Sequence, residues 1–353
     1  MDVYGLLIIK EYLNDFESVP GPTKIFNASE PIIPAMSGST GPASASAISP
    51  AKFILFGEHA VVYGEPAIAV AIELPLKISV APAKAFTVDG ESLNQKGHSF
   101  IKAALESDWK GGPVAIRTFS EIPRASGLGS SAAVVVATLA ALRRLGGGTG
   151  IDEEALARTA FEVEYSVQGR ASPTDTSVCT HGKAIMLAKD RREGLLWHIK
   201  KGDKEWFIHH LDTPAMTFVV GNTNERSATK DMVGKVRRYY EKSGHARETI
   251  EEIGRITVDG AKALQQGDKV ELGRLMDLNH KRLVSLGASS QRLEKLVEAC
   301  RPHSYGAKLT GKGGGGCMVA LTDRPKETCE AIKRAGGFPL VVTPAQKGAR
   351  FAD

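Results

Sequence analysis

The stretch PRASGLGSSAA, residues 123–133, is the segment that most strongly constrains the fold of this 353-residue chain. Its glycines, Gly127 and Gly129, allow the backbone to come close to a ligand. Two serines follow at the start of an Ala- and Leu-rich run, which predicts a helix over residues 130–145. Because the free N–H groups and the dipole of a helix N-terminus attract anions, the stretch predicts a loop that binds phosphate. The alternative is an ordinary serine-capped helix after a turn.

Two other glycine patterns fit this stretch less well. A P-loop of the form GxxxxGK[ST] is absent from it. It does match GxGxxA, but a dinucleotide-binding turn needs the glycines directly after a strand and an acidic residue at a strand end about 20 residues later. Here Pro123 interrupts the approach from the strand predicted at residues 114–119, and Asp152 falls at the start of the helix predicted over residues 151–167. The dinucleotide interpretation is therefore weak.

A second glycine-rich stretch, KLTGKGGGGCM, occupies residues 308–318. Apolar, strand-like residues flank it, so the pattern predicts a strand, a very tight turn and a returning strand. Four consecutive glycines are costly in conformational entropy, which indicates that something passes close to their backbone. A floppy hairpin tip is the alternative interpretation.

A third stretch, KFILFGEHAVVYG at residues 52–64, places a cation, an acid and an imidazole among apolar side chains. His59 alone would more often be a structural histidine than a catalytic one. With Lys52 and Glu58 beside it, the polar cluster indicates a functional site.

Two further carboxylates are candidates for metal or hydroxyl chemistry. Asp175 lies on a loop of small residues, 169–176, and Glu164 lies on the helix before that loop. One carboxylate would hold a metal while the other handles a substrate hydroxyl, or both are surface acids. Their spacing alone does not decide between these interpretations.

The composition is typical of a globular protein, with 42% hydrophobic and 24% charged residues. Lys and Arg outnumber Asp and Glu by 45 to 40, which suits an anionic small substrate. The sequence has no long run of Lys and Arg, which a nucleic-acid-binding protein would usually contain, so no nucleic-acid partner is expected. The longest apolar stretch, residues 132–142, is too short to span a bilayer, so no membrane partner is expected. Four cysteines without CxxC spacing, together with the lack of a signal-peptide pattern, predict a cytoplasmic protein.

The length predicts two domains and an N-terminal tail. Residues 1–48 include a stretch rich in Pro, Ser, Gly and Ala, and are expected to be a flexible extension or linker. Residues 49–212 and 213–353 each combine strands and helices, which predicts an α+β fold. Further strands are expected at 52–55, 67–73, 216–221, 307–309, 317–321 and 340–342, and apolar helix faces between 233 and 297.

Taken in order, the three stretches resemble the three motifs of the GHMP kinases, the family of galactokinase, homoserine kinase, mevalonate kinase and phosphomevalonate kinase. The resemblance covers about residue 48 to the C-terminus. It implies an N-terminal domain like ribosomal protein S5 domain 2, a ferredoxin-like C-terminal domain, and an active site between them. Lys52 followed by FGEHAVVYG is most similar to the mevalonate kinase branch, and residues 169–176 to its archaeal form.

The resemblance implies an activity and a set of partners. The expected reaction is ATP-dependent phosphorylation of the 5-hydroxyl of (R)-mevalonate, with Mg²⁺ as cofactor, in isoprenoid biosynthesis. Phosphomevalonate kinase or another small-molecule kinase of the family is the alternative. Since members of the family often dimerise, a homodimer is also expected.

The family's roles are carried over position by position. Asp175 matches the aspartate that accepts or orients the proton of the attacking hydroxyl, and Lys52 matches the lysine that contacts that hydroxyl. Ser131 and Glu164 match the ligands of Mg²⁺. The expected nucleotide-binding residues are Pro123, Ser126, Gly127, Leu128, Gly129, Ser130, Ser131 and Ala132. The expected substrate-binding residues are Glu58, His59, Thr229, Gly311 and Lys312.

Lys312 departs from the family pattern, which usually has a small residue at this position. A cation there would grip the carboxylate of the substrate or favour an acceptor that already carries phosphate. The alternative is a side chain that points into solvent.

Overall fold

Two β-sheets with helices packed against them make up the part of the chain that the structure describes. A computed structural model describes residues 42–93, 95–123, 126–169, 171–225 and 232–352. The strands are β1 Ala45–Phe56, β2 Ala67–Pro82, β3 Thr87–Val88, β4 Glu91–Ser92, β5 Val114–Ser120, β6 Ala184–Ala188, β7 Leu195–Lys201, β8 Lys204–Leu211, β9 Phe218–Asn222, β10 Gly306–Leu309, β11 Cys317–Leu321, β12 Phe338–Val342 and β13 Arg350–Phe351. The helices are α1 Gln95–Asp108, α2 Ser130–Leu145, α3 Glu153–Gln168, α4 Thr174–His181, α5 Met232–Lys242, α6 Gly244–Gln266, α7 Lys269–Ser285, α8 Gln291–Cys300 and α9 Pro325–Arg334, with short 3₁₀ turns at Ala60–Tyr63 and Arg301–His303.

The first sheet has nine strands, which pair in the order β4-β3-β5-β2-β6-β8-β7, with β1 between β2 and β13. The long strand β2 pairs with β1 along one edge, and with β6 and then β5 along the other. Helix α2 covers β1 and β2. Eleven of its sixteen residues are buried, because it also packs against α1 and α3.

The second sheet is antiparallel, in the order β10-β11-β9-β12. Helices α7 and α8 pack on β10, and α9 packs on β9 and β12. Helix α6 lies close to β1, because Gly260 has no side chain to keep it away. A Cβ at Gly260 would stand 2.5 Å from Cε2 of Phe56. The end of the chain then returns to the first sheet, where Ala345 N–H donates to Ala71 O at 2.8 Å and β13 pairs with β1.

The predicted α+β class and most of the predicted elements are confirmed. Helix α2 has the predicted limits, and β10 and β11 form the predicted antiparallel pair around the 308–318 stretch. The loop predicted at 169–176 is wrong in part, because Asp175 lies in the first turn of α4. The sequence reading also missed α1, α9 and the strands β6 to β8.

The domain limits stay a prediction. Residues 1–41 of the expected extension lie outside the described residues, and β1 already begins at Ala45. The described helices include none that is long and apolar enough to cross a bilayer.

Candidate active site

The free edge of β1 holds two of the three stretches together. Strand β13 covers this edge only near its start, so the later backbone groups need other partners. Lys52 N–H donates to Leu128 O at 3.0 Å. Two residues further on, Ile54 N–H donates to Thr310 Oγ1 at 3.0 Å, and Ile54 O accepts from the same hydroxyl at 2.9 Å. One strand edge thus brings the predicted phosphate-binding loop and the 308–318 loop side by side.

Lys52 forms an ion pair with Asp175. Its Nζ lies 2.8 Å from Asp175 Oδ2, and the lysine side chain is 5% exposed while the aspartate side chain is 32% exposed. Asp175 is in the first turn of α4, where the helix dipole favours a negative charge. The ammonium is therefore buried while the carboxylate remains accessible. This arrangement can place a ligand hydroxyl beside both a base and a fixed positive charge.

Gly129 makes room for the Lys52 side chain. It has φ +80°, in the left-handed region, and a Cβ there would stand 2.7 Å from Lys52 Cγ and 2.8 Å from Lys52 Cε. The lysine therefore runs directly over the turn that precedes α2. This explains why Gly129 is required, both for its backbone conformation and for the close approach.

The predicted phosphate-binding loop leads directly into the start of α2. The N-cap of α2 is Gly129, which provides no side-chain cap. As in every helix, the first N–H groups of α2 have no partner inside the helix. The hydroxyl of Ser126 instead donates to Pro123 O at 2.8 Å and shapes the loop from within. This is the geometry in which a helix N-terminus binds an anion.

Ser131, which is half-buried, and Glu164, which is buried, form a pair next to the lysine–aspartate pair. Ser131 Oγ donates to Glu164 Oε1 at 2.7 Å, and Gln168 Nε2 donates to the same oxygen at 3.1 Å. Burial, and next the negative charge of Asp175, raise the pKa of Glu164 to about 7, although the hydrogen bonds from Ser131 and Gln168 and the charge of Lys52 oppose this rise. A buried carboxylate with a raised pKa is a position where a bound cation would stabilise the ionised form.

These donors fit Mg²⁺, which prefers oxygen ligands and is commonly held by one or two protein side chains together with phosphates and water. Across the residues that the structure describes, no group of three or more His, Cys, Asp or Glu side chains could hold a metal ion by itself. A cation at Ser131 and Glu164 would therefore need ligands from a bound molecule such as a triphosphate.

His59 is fixed by a hydrogen bond to the 308–318 stretch. Its backbone has φ +62°, which is unusual for a residue other than glycine and is typical of functional sites. Its Nε2 donates to Lys312 O at 3.0 Å, and burial lowers its pKa, so the imidazole is neutral. Since Nε2 carries the hydrogen, Nδ1 is left as an acceptor.

Glu58 lies deeper than a ligand-contacting residue usually does. Lys308 Nζ donates to Glu58 Oε1, and Asn279 Nδ2 donates to Glu58 Oε2 at 3.2 Å. The side chains of Lys308 and Glu58 are 0% and 1% exposed. Both oxygens of this carboxylate are thus engaged within the protein.

The 308–318 loop is held on its other side by the segment between α7 and α8. Gly313 has φ +72°, and a Cβ there would stand 1.8 Å from Ala288 O, which also accepts from Gly314 N–H at 2.9 Å. A Cβ at Gly316 would contact Ser126 O at 3.9 Å, so the two glycine-rich loops meet. These tethers do not fit the interpretation of a floppy hairpin tip.

The structure brings most of the predicted site residues together. Lys52 and Asp175 form one pair and Ser131 and Glu164 the other, both at the start of α2. Thr229 lies outside the described residues. The side chain of Lys312 is exposed, and only its carbonyl contacts another predicted residue.

Sequence reasoning missed three residues that build the site, namely Lys308, Thr310 and Asn279. Lys308 and Thr310 stand inside the quoted glycine-rich stretch, where their polarity next to a strand was an available signal. Asn279 lies in the middle of α7, and nothing in its local sequence marks it.

Comparisons with known families agree with this geometry. The model of the GHMP kinase N-terminal domain matches residues 98–183, and that of the GHMP kinase C-terminal domain matches residues 261–337. Proteins of this class are small-molecule kinases. The chain belongs to the GHMP kinase family.

Within that family, the similarity points to one kind of kinase. The chain is 38% identical to the mevalonate kinase of Thermococcus onnurineus over 345 residues, which cover 87% of this chain and 98% of that protein. It is 37% identical to the mevalonate kinase of Pyrococcus abyssi, covering 87% and 97% of the two chains. The crystal structure of L. major mevalonate kinase in complex with R-mevalonate has a TM-score of 0.74 and 27% identity, covering 88% of this chain and 99% of that one.

Proposed function

We propose that this protein is a mevalonate kinase that transfers the γ-phosphoryl group of ATP to the 5-hydroxyl of (R)-mevalonate. The observation that carries the proposal is the Lys52–Asp175 pair, at 2.8 Å, beside the half-buried Ser131–Glu164 pair. Phosphoryl transfer to an alcohol requires a base, a nearby positive charge, a bound metal ion and donors for the phosphate oxygens. The two pairs and the N-terminus of α2 could provide these groups. The similarity to archaeal and L. major mevalonate kinases supports mevalonate as the acceptor.

In the proposed reaction, each group of the site has a separate role. The acceptor hydroxyl oxygen bonds to the γ-phosphorus while the bond from that phosphorus to the bridging oxygen breaks and ADP leaves. Asp175 receives or orients the hydroxyl proton, and Lys52 stabilises the negative charge on the attacking oxygen and the transferred group. The N–H groups at the start of α2 bind the remaining phosphate oxygens. Most of the catalysis is therefore positioning and charge neutralisation.

Ser131 and Glu164 would hold Mg²⁺. When bound, this ion neutralises charge on the triphosphate and helps to fix its orientation. Glu164 must be ionised to bind it, and its raised pKa makes this ionisation sensitive to pH near neutrality.

The acceptor would lie against the His59 turn and the 308–318 loop. His59 offers Nδ1 as an acceptor of hydrogen bonds. Gly311 has φ +77° and no atom within 4 Å of its Cβ position, so the space next to Gly311 is open. A role for Thr229 at this site remains part of the proposal.

The test is an acceptor screen with ³¹P detection of the product and a coupled measurement of ADP release. Turnover with (R)-mevalonate and ATP·Mg²⁺, yielding 5-phosphomevalonate, is the expected result. Turnover with another alcohol and none with mevalonate would reject the proposal. A family-fold binding protein without catalysis would give neither, and Asp175→Ala would then change nothing.

A second acceptor class, one that already carries phosphate, is favoured by Lys312. Its side chain is exposed at the tip of the 308–318 loop, and its own carbonyl accepts the hydrogen bond from His59. Comparing mevalonate and phosphomevalonate as acceptors for the wild type and for Lys312→Ala separates the two functions. Selective loss of the phosphorylated acceptor in the variant would support this alternative.

The cellular setting and the assembly complete the proposal. A cytoplasmic location is also proposed, and it is supported by the proposed use of ATP and by four cysteines that are all buried and unpaired. A homodimer, and the division into domains at residues 49–212 and 213–353, are proposed from the family resemblance.

A further inference from the structure

The segment 308–312 is joined to the stretch 52–64 at three positions. Lys308 bonds to the carboxylate of Glu58, Thr310 to the backbone of Ile54, and Lys312 O to the ring of His59. Lys308 lies in strand β10, whereas Gly311, with φ +77°, and Lys312 form the turn that follows this strand. The three contacts together hold the segment 308–312 against the stretch that contains His59.

Of these three connections, only the one at Lys308 is ionic and fully buried. The Lys308 ammonium donates to Glu58 and also to Leu309 O at 2.7 Å, and Asn279 donates to the other oxygen of Glu58. Burial lowers the pKa of Lys308, which the charge of Glu58 opposes. Each charge thus depends on its partner, because a buried charge without a partner is strongly unfavourable.

We infer that Lys308 and Glu58 are positioning residues for the acceptor site, and that Glu58 acts through Lys308 rather than by contact with the acceptor. The inference rests on the proposed function. Glu58 immediately precedes His59, and Lys308 is followed by Thr310 and Lys312. Their ion pair fixes the distance between the two walls of the acceptor site, and a shift of about 1 Å in such a wall is enough to reduce turnover ~100-fold.

Three variants test this role: Glu58→Gln, Lys308→Met and the double variant. Glu58→Gln leaves a buried cation without its partner, so we expect kcat/KM for mevalonate to fall about tenfold or more, mainly through KM, with KM for ATP nearly unchanged. In the double variant no unpaired charge remains. We therefore expect it to recover a substantial part of the activity that Glu58→Gln loses.

Ile208→Ala serves as the matched control. Ile208 is fully buried in β8 of the first sheet, in an apolar cluster with Phe161 and Ile185 that includes no residue of β10 or α7. It should lower the midpoint of urea unfolding without raising the KM for mevalonate. If the control variant shows the same rise in KM for mevalonate as the ion-pair variants, general destabilisation explains the effect and the inference is overturned.

The double variant decides between positioning and contact. If Glu58 touches mevalonate, the double variant is no more active than Glu58→Gln, and the inference is wrong. The inference is also overturned if the wild type turns over mevalonate and Lys308→Met has an unchanged KM for mevalonate. In that case the proposed function stands. Wild-type protein without any turnover of mevalonate removes the proposed function and this inference together.

Discussion

Replacing Gly129 by alanine should disable Lys52 without dismantling the fold. The new methyl group would stand 2.7 Å from Lys52 Cγ and 2.8 Å from Lys52 Cε. Carbon atoms pack best at about 3.5–4.0 Å, so the lysine must move by roughly 1 Å. A displacement of that size at a reacting centre costs about 100-fold in rate. The left-handed backbone adds about 1–2 kcal/mol of strain to the folded state.

Gly127→Ala provides the matched control for backbone strain. Gly127 has φ +77°, close to that of Gly129, but a Cβ there would meet no atom within 4 Å. Both variants should therefore lose a similar amount of stability in urea unfolding. Only Gly129→Ala should suffer the additional loss of kcat that follows from moving Lys52.

A double-mutant cycle with Lys52→Met completes the test. In the Lys52→Met background no ammonium is left to displace, so Gly129→Ala should cause little further loss of kcat in the coupled ADP-release assay. If the two losses simply multiply, the lysine is not the target of the collision and the reasoning is refuted.

Three further perturbations follow from the site. Asp175→Asn should lower kcat by about 10²–10⁴-fold, because the proton acceptor is lost while the fold keeps its shape; steady-state kinetics checks this. Thr310→Val should destabilise the protein by about 1–3 kcal/mol for each polar group left unpaired on Ile54, measured by urea unfolding. In the wild type, the pKa of about 7 for Glu164 lies above its ordinary 4.5. Mg²⁺ affinity should therefore fall about tenfold per pH unit below pH 7 and level off above it, and Glu164→Gln should bind Mg²⁺ weakly at every pH, as titration will show.

The sign of the Glu164 effect on stability is opposite to that on Mg²⁺ binding. Since the raised pKa favours the protonated carboxyl in the folded protein, its contribution to metal-free stability is full below pH 4.5 and is lost as the pH rises to about 7. Stability of the metal-free wild type that rises over this interval relative to Glu164→Gln would contradict the assignment. Full activity of Asp175→Asn, or unchanged unfolding of Thr310→Val, would contradict the other two predictions.

Local patterns in the sequence were sufficient to predict the elements that depend on neighbouring residues. The Ala- and Leu-rich run after Gly129 becomes helix α2 with the predicted limits, because its apolar residues suit burial on nearly all sides. The 308–318 stretch becomes two paired strands around glycines with positive φ. In contrast, β6 to β8 and α9 were missed, since short elements lack a periodicity long enough to be recognised.

The tertiary structure alone decided which charges meet. Glu58 and Lys308 are 250 positions apart, and no local pattern indicates that each neutralises the other in the interior. The sequence determined that a lysine, two carboxylates and two glycine-rich loops are present, because these are properties of residue type and spacing. Folding determined that the edge of β1 lines the loops up, that Lys52 crosses Gly129 to reach Asp175, and that Glu164 is buried enough for its pKa to rise. Burial and long-range contact set those energies, and neither is written in the order of neighbouring residues.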